Sequence, residues 1–264
     1  MIKNSSKSHI KNLAEFIALQ FEEKVTPLDR IVVDEDLKVF YDNYDTNTFD
    51  GMTVYEEDNF YIHLNIDSGN KINSERGRFT LAHELGHYFI DAHRIGLKKG
   101  LLEPHPSKIA RKQFNEIERE ADYFASCLLM PESRFQKDVF RKKFNINLID
   151  HLRAEYKVSR TACAFRFAEI GNHPIMIVYA ENGVVKWTHY SDDFPFKYLI
   201  NDNIVPNDIV MGEYFKNSTA DIFKTEEIWA IDCFKYVKDY DVNRKFYEHC
   251  ITYKNCAFSI IWED

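Results

Sequence analysis

The feature that most constrains this 264-residue chain is a short histidine-containing segment, RFTLAHELGHY, at residues 78–88. His83 and His87 stand four residues apart and Glu84 follows the first of them, which is an HExxH pattern. On a helix, residues at this spacing lie about 40° apart on one face, so both imidazoles can bind a single ion. Glu84 lies beside that ion, where a carboxylate can accept a proton from water. The segment therefore predicts a helix that carries a Zn²⁺ centre.

A pair of hydrogen-bonded core histidines is the alternative interpretation. The chain has 10 histidines, so an HExxH pattern can also arise by chance. The predicted helix, about residues 78–93, has apolar residues on both flanks of the histidines, which favours a buried helix over a solvated one. Buried imidazoles need polar partners, and a metal ion or a carboxylate can supply them.

A catalytic zinc ion needs a third protein ligand and an open position for water. A second helix, predicted at about residues 113–130, offers Glu116, Glu118 and Glu120. Its apolar stripe turns Glu116 towards solvent but leaves Glu118 and Glu120 equally placed. Asp122 follows Glu118 by one turn and can accept the free ring N–H of a ligating histidine. We therefore predict Glu118 as the third ligand and Asp122 as the carboxylate that orients a histidine, with Glu120 as the alternative ligand.

The segment RFTLAHELGH at residues 78–87, followed by EREADYFASCLLMP at residues 118–131, resembles the ImmA/IrrE family of zinc metallopeptidases. The resemblance covers roughly residues 50–171. It implies a zinc site of the thermolysin type, with His83, His87 and Glu118 as ligands and Glu84 as general base. It also implies a site-specific endopeptidase whose protein substrate is a helix-turn-helix repressor, so that cleavage derepresses phage, mobile-element or stress-response genes. Asp91 departs from the family pattern, because many relatives carry a further histidine there.

The pattern along the chain predicts an α+β protein in three parts. A zincin-like metallopeptidase core is expected at residues 1–140, with an opening helix near residues 8–23. A helical, helix-turn-helix-like subdomain follows at residues 141–171, with its turn at residues 158–159. A β-rich α+β C-terminal domain with a regulatory role is expected at residues 172–264. Within it, Asn182-Gly183 predicts a two-residue hairpin turn, and further strands are expected at residues 228–237 and 257–262.

The alternating segment at residues 59–66 predicts a half-buried strand, with Phe60, Ile62 and Leu64 on one face. We hypothesise that this strand forms the edge of the cleft and holds a substrate peptide as an added β-strand.

Charge and cysteine usage restrict the partners and the compartment. The net charge of −8 disfavours nucleic acid and membrane surfaces as partners. Residues 141–171 nevertheless contain seven basic and three acidic residues, so a DNA-binding regulator remains an alternative, as does a catalytically silent interaction module. Five scattered cysteines and an opening segment without a leader pattern predict reduced thiols in the cytoplasm. Nothing in the sequence predicts the oligomeric state.

Overall fold

A computed structural model describes residue 2 and residues 4–46, 48–102, 116–217 and 220–264. The chain forms two compact units. The first is Met1–Phe135 with Leu152–Ser159, and the second is Gln136–His151 with Arg160–Asp264. The α+β class predicted from the sequence is confirmed, because a helix-rich region precedes a β-rich C-terminal region. The limits predicted for three domains stay a prediction.

The first unit places a small sheet beside a group of helices. Its described elements are α1 (Asn4–Ala18), α2 (Leu28–Asp34), β1 (Lys38–Asp42), β2 (Gly51–Glu56), β3 (Asn59–Asn65), α3 (Glu75–Phe89), α4 (Asp91–Lys98) and α5 (Glu116–Leu129). The apolar face of α1 is buried at Ile10 and Ile17, as its helical spacing predicts. The sheet has the order β1-β3-β2, in which β3 is parallel to β1 and antiparallel to β2.

The position of β3 corrects the hypothesis about the cleft edge. The strand itself was predicted correctly, but it is paired on both sides and is the centre of its sheet. Its backbone hydrogen-bonding groups are therefore used by β1 and β2, so β3 cannot accept an added strand. The edges of this sheet are β1 and β2.

The two predicted helices of the site differ from the structure at their ends. Helix α3 begins at Glu75, because the Ser74 side chain accepts a hydrogen bond from the Gly77 N–H and caps it. It ends at Phe89, since Ile90 has an extended backbone and α4 starts afresh at Asp91. Helix α5 is described from Glu116, and residues 113–115 of the predicted helix lie outside the described residues.

Three further helices follow: α6 (Glu132–Val139), α7 (Ile146–Tyr156) and α8 (Arg160–Ile170). The turn between α7 and α8 lies where the sequence predicts it. Helix α7 is divided between the two units: its residues up to His151 belong to the second unit, and those from Leu152 belong to the first.

Four of the seven basic residues in residues 141–171 form ion pairs, namely Lys143 with Asp264, Arg153 with Glu75, Arg160 with Asp150 and Arg166 with Glu169. These pairs reduce the positive charge available to a DNA backbone.

The second unit contains an antiparallel five-stranded sheet with the order β5-β4-β8-β7-β6. Its remaining elements are β4 (Ile175–Glu181), β5 (Val184–Tyr190), α9 (Val210–Asn217), β6 (Phe223–Trp229), α10 (Ala230–Cys233), β7 (Lys245–Tyr253) and β8 (Cys256–Glu263). The hairpin between β4 and β5 is confirmed, with φ of 52° at Asn182 and 75° at Gly183. Both values fit the two-residue turn that this dipeptide favours.

The strand predicted at residues 228–237 is wrong over most of its length. Strand β6 ends at Trp229, and α10 forms a helical turn directly after it. Buried Ala230, Cys233 and Phe234 follow the i, i+3, i+4 spacing of a helix, although the segment is apolar enough to resemble a strand.

No described helix has both the length and the apolar character needed to cross a membrane.

Candidate metal centre

The two histidines of α3 point their outer ring nitrogens at each other. The Nε2 atoms of His83 and His87 are 3.2 Å apart, and both side chains are almost fully buried. Helical spacing explains the shared face, and burial of nearly every α3 residue from Gly77 to His87 explains the exclusion of water. Two nitrogen lone pairs this close repel each other unless a proton or a cation lies between them.

Gly86 allows α5 to approach α3 closely. A Cβ atom at this position would lie 3.2 Å from the Ala121 Cα and 3.2 Å from the Phe124 Cδ1. A larger residue would force the two helices apart. The glycine in the HELGH segment therefore brings the first turns of α5 to the histidines.

The carboxylate that reaches the histidines is Glu118. Its Oε2 lies 3.5 Å from the His83 Nε2 and its Oε1 lies 3.4 Å from the His87 Nε2. One ligand atom from each of these three residues lies within 4.8 Å of the others. Glu120 points elsewhere, because its Oε2 lies 3.0 Å from the Nε2 of His93. The orientation of α5 thus directs Glu118 to the two histidines of α3 and Glu120 to His93, a difference that the sequence pattern does not reveal.

Asp122 holds the other side of the His83 ring. Its Oδ1 lies 2.9 Å from the His83 Nδ1, a distance at which the ring N–H donates to the carboxylate. In the neutral ring this contact places the proton on Nδ1, which leaves the Nε2 lone pair directed towards His87 and Glu118. Burial opposes a charge on His83, but the hydrogen bonds to Asp122 and Glu118 outweigh it and raise the pKa of His83 well above its ordinary value. The surroundings of this ring therefore favour positive charge.

The donor atoms fit a zinc ion. Four ligands placed tetrahedrally at 2.0–2.2 Å from such an ion are roughly 3.3–3.6 Å from one another. The two histidine Nε2 atoms are 3.2 Å apart, and each has one Glu118 oxygen at a similar distance, Oε2 at 3.5 Å from His83 and Oε1 at 3.4 Å from His87. Two imidazole nitrogens and a carboxylate are also the donor types found at catalytic zinc sites, which keep a fourth position for water.

Glu84 is held against strand β2. Its Oε2 accepts a hydrogen bond of 2.7 Å from the Thr53 hydroxyl, which lies 3.1 Å from the Glu84 carbonyl oxygen. Gly51 leaves the space for this carboxylate, since a Cβ there would lie 2.5 Å from the Glu84 Oε1 and 2.8 Å from its Cγ. The buried carboxylate is thus fixed beside the two histidines.

Thr53 and His93 were not identified from the sequence as residues of this site. Thr53 contacts Glu84 across 31 positions of sequence, and His93 reaches Glu120 across 27. The polar residue at position 53 of an otherwise apolar strand face is the signal that could have indicated Thr53. For His93, the signal is a histidine just after an HExxH helix, close to a second carboxylate-rich helix.

Residues 53–168 match the profile of peptidase family M78, described as an IrrE N-terminal-like domain. This segment is similar to an IrrE N-terminal-like domain. The matched segment includes Thr53, the HExxH residues of α3 and the three carboxylates of α5 described above. The resemblance noted from the sequence is thereby confirmed over these residues.

A solved structure supports the fold of the whole chain. The chain is similar to a transcriptional regulator from Mycobacterium tuberculosis, with 14% sequence identity and a TM-score of 0.61. The similarity covers 97% of this chain and 76% of the regulator. At this identity the likeness concerns the fold alone. No curated protein sequence matches the chain.

Proposed function

We propose that the protein is a zinc-dependent endopeptidase that cleaves a protein substrate at one site. The observation that carries this proposal is the group of His83, His87 and Glu118, whose donor atoms fit one zinc ion, with Glu84 fixed beside them. A structural metal site needs ligands but no base, so the buried and oriented Glu84 favours catalysis.

The residues of the chain have separate roles in this proposal. His83, His87 and Glu118 hold the ion, and Asp122 keeps the proton of His83 on Nδ1. A zinc ion bound there would act as a Lewis acid, which would polarise the scissile carbonyl and lower the pKa of a water molecule. Glu84 accepts the proton of the attacking water and delivers it to the leaving nitrogen. Thr53 fixes the Glu84 carboxylate so that this transfer needs no reorganisation.

We further propose that the substrate is a helix-turn-helix transcriptional repressor and that the cut derepresses the genes it controls. The family match and the transcriptional regulator with a similar fold support a regulatory setting. The similarity in fold to a transcriptional regulator also favours a second candidate function, a regulator that binds its partner without cutting it.

The test is co-expression with a helix-turn-helix repressor, chosen from the genes beside the one for this chain, followed by intact mass measurement of the repressor. We expect a single cut with the wild-type chain and an intact repressor with Glu84→Gln, while zinc stays at one ion per chain in both. Glu57→Gln is a matched control on the exposed turn between β2 and β3, and it should cut like the wild type.

The possible results separate the candidates. An intact repressor that co-purifies with both zinc-loaded proteins would support the binding-only regulator and contradict the peptidase. A cut that persists in Glu84→Gln would show that another protease is responsible.

A further inference from the structure

The tripeptide Phe-Lys-Tyr occurs twice in the second unit, at residues 196–198 and 234–236. The two copies lie side by side. The Lys235 N–H donates to the Tyr198 carbonyl at 2.9 Å, and the Ile200 N–H donates to the Cys233 carbonyl at 2.9 Å. The pairing is antiparallel and sets Leu199 opposite Phe234, so the two copies run side by side in opposite directions.

Each copy directs its phenylalanine inwards and its tyrosine outwards. Phe196 and Phe234 are buried and stack with ring centroids 4.8 Å apart and planes inclined by 13°. Tyr198 and Tyr236 are 60% and 82% exposed, with ring centroids 6.2 Å apart and planes at 89°. The buried pair fixes the segments, so the exposed rings stand on a rigid base.

Tyr236 has an uncommon backbone conformation. Its φ is +59°, a left-handed value that is an outlier for a bulky residue. Such conformations are often found at functional sites. Here this conformation presents an aromatic ring to solvent, which folding alone does not require.

The two copies line a cavity of about 340 Å³ together with the segment that follows the second copy. Its walls include three exposed tyrosines, at positions 198, 236 and 240, and four basic residues, Lys197, Lys235, Lys238 and Arg244. Asp241 is its acidic lining residue. The volume is at the lower end of the range for small-ligand sites, roughly 300–1,000 Å³.

The basic residues of the cavity differ in their partners. Arg244 is held by Glu263 through two hydrogen bonds of 2.6 Å, and Lys235 pairs with Asp202. Lys197 and Lys238 form no ion pair with any carboxylate that the structure describes. Their recorded contacts are with aromatic rings: the Lys238 Nζ lies 5.5 Å from the centroid of Tyr240, and the Lys197 Nζ lies 5.7 Å from that of Tyr190. Two ammonium groups are thus left to bind an anion, in a chain whose overall charge is −8.

We propose that this cavity binds a phosphorylated nucleoside, either as a free nucleotide or as a unit of a single-stranded nucleic acid. The tyrosine rings stack on the base, and Lys197 and Lys238 contact the phosphate. An acidic peptide would use the lysines but would leave the three exposed rings without a role. The combination of flat aromatic surfaces and cations is what a base joined to a phosphate requires.

The test measures binding of the full-length protein to fluorescein-labelled dT8 by anisotropy. An abasic eight-unit deoxyribose phosphate strand with the same label and charge serves as the comparison. Thymidine monophosphate, followed by calorimetry, distinguishes the free nucleotide from the strand. We expect dT8 or thymidine monophosphate to bind, with the abasic strand and inorganic phosphate at least 5-fold weaker.

Variants locate the binding to the cavity. Tyr236→Gly removes one ring at a φ that glycine adopts readily, so the fold is preserved, and it should weaken binding roughly 5- to 150-fold. Lys238→Gln should weaken binding and reduce the salt dependence of log K by about 0.7, the value for one phosphate contact. Tyr253→Leu removes a 65% exposed tyrosine outside the cavity and should change nothing.

Several results would overturn the proposal. These are equal binding of the abasic strand and dT8, full binding by Tyr236→Gly, equal binding of an eight-residue oligoglutamate, and no binding of any probe at millimolar concentration. Binding of thymidine monophosphate without dT8 would support the proposal and assign the free nucleotide as ligand.

Discussion

Glu118 and Glu120 lie two residues apart on α5, yet their carboxylates have different partners. Glu118 faces His83 and His87, whereas Glu120 contacts the buried His93. We expect Glu118→Ala to lose zinc, because a site with two neutral histidines holds the ion weakly.

Glu120→Ala is the matched variant and should retain zinc at one ion per chain, measured by mass spectrometry under native conditions. The opposite result would exchange the roles of the two glutamates.

Thr53 acts on Glu84 through one buried hydrogen bond. Thr53→Val keeps the shape of the side chain and removes the donor, so the carboxylate loses its orientation. Because a hydrogen bond to a charged group contributes about 1.5–3 kcal/mol, kcat/KM should fall roughly 10-fold or more while zinc content stays unchanged. Thr53→Ser restores the hydroxyl and should restore the rate. Equal rates for Thr53→Val and the wild type would show that Thr53 does not position the base.

Individual residues of the site differ in how well the sequence predicts them. The placement of His83 and His87 follows from the period of one helix, which is local information. The contacts of Glu84 with Thr53 and Gly51 join residues about 30 positions apart and depend on how β2 packs on α3. Glu118 is an intermediate case. The helical period reduces the candidates for the third ligand to Glu118 and Glu120, and only the rotation of α5 in the folded protein shows which of them faces the histidines.

Among the elements, the contact between α3 and α5 determines whether the ligands meet. Gly86→Val would place methyl groups where Ala121 and Phe124 already pack. We expect α5 to move outwards, which weakens zinc binding and lowers the free energy of unfolding by about 1–3 kcal/mol. Competition with a chelator measures the affinity, and urea unfolding measures the stability. Gly100→Ala is the control: its φ of 63° strains an alanine, but no atom lies within 4 Å of the added Cβ, so zinc affinity should not change.

Strand β7 carries two buried titratable groups on opposite faces. Glu248 accepts hydrogen bonds from the Val210 N–H and the Ser259 hydroxyl, and burial raises its pKa from 4.5 to about 7. Burial, with a contribution from the charge of Arg160, lowers the pKa of His249 from 6.5 to about 4. The strand was missed in the sequence because a glutamate at a core position breaks the apolar alternation that predicts strands.

The two shifts have opposite effects on stability. Glu248 makes the free energy of unfolding fall as the pH rises from 4.5 to 7, since only the folded state keeps its proton there. His249 makes it rise from pH 4 to 6.5, since only the unfolded state is protonated there. We expect the wild type to vary little between pH 4.5 and 6.5.

Glu248→Gln should expose the His249 dependence, with a rise of about 2–3 kcal/mol across pH 4.5–6.5. Urea unfolding at several pH values checks this. A flat profile for Glu248→Gln would contradict the assignment.

At the scale of the whole molecule, the proposed zinc ligands and Glu84 all lie in the first unit, and the tyrosine-lined cavity lies in the second. The α+β class and the order of helical and β-rich regions could be predicted from composition and periodicity. The division of the chain into units could not, because the end of α7 and the turn after it, Leu152–Ser159, belong to the first unit although the preceding residues belong to the second. Which unit a segment joins depends on its tertiary packing, and the amino-acid composition of the segment does not indicate it.

Because Leu152–Ser159 belongs to the first unit, these residues decide where an isolated fragment of that unit can end. Tyr156 is fully buried with its ring 5.7 Å from that of Phe135, and Arg153 pairs with Glu75 at the start of α3. A fragment of residues 1–140 lacks both contacts and exposes the cavity that Tyr156 fills, a loss of roughly 3–5 kcal/mol. A fragment of residues 1–159 keeps them and should show the higher melting temperature by circular dichroism, whereas equal melting would indicate that α7 is dispensable. Truncation for crystallisation or for assays should therefore be made beyond Ser159.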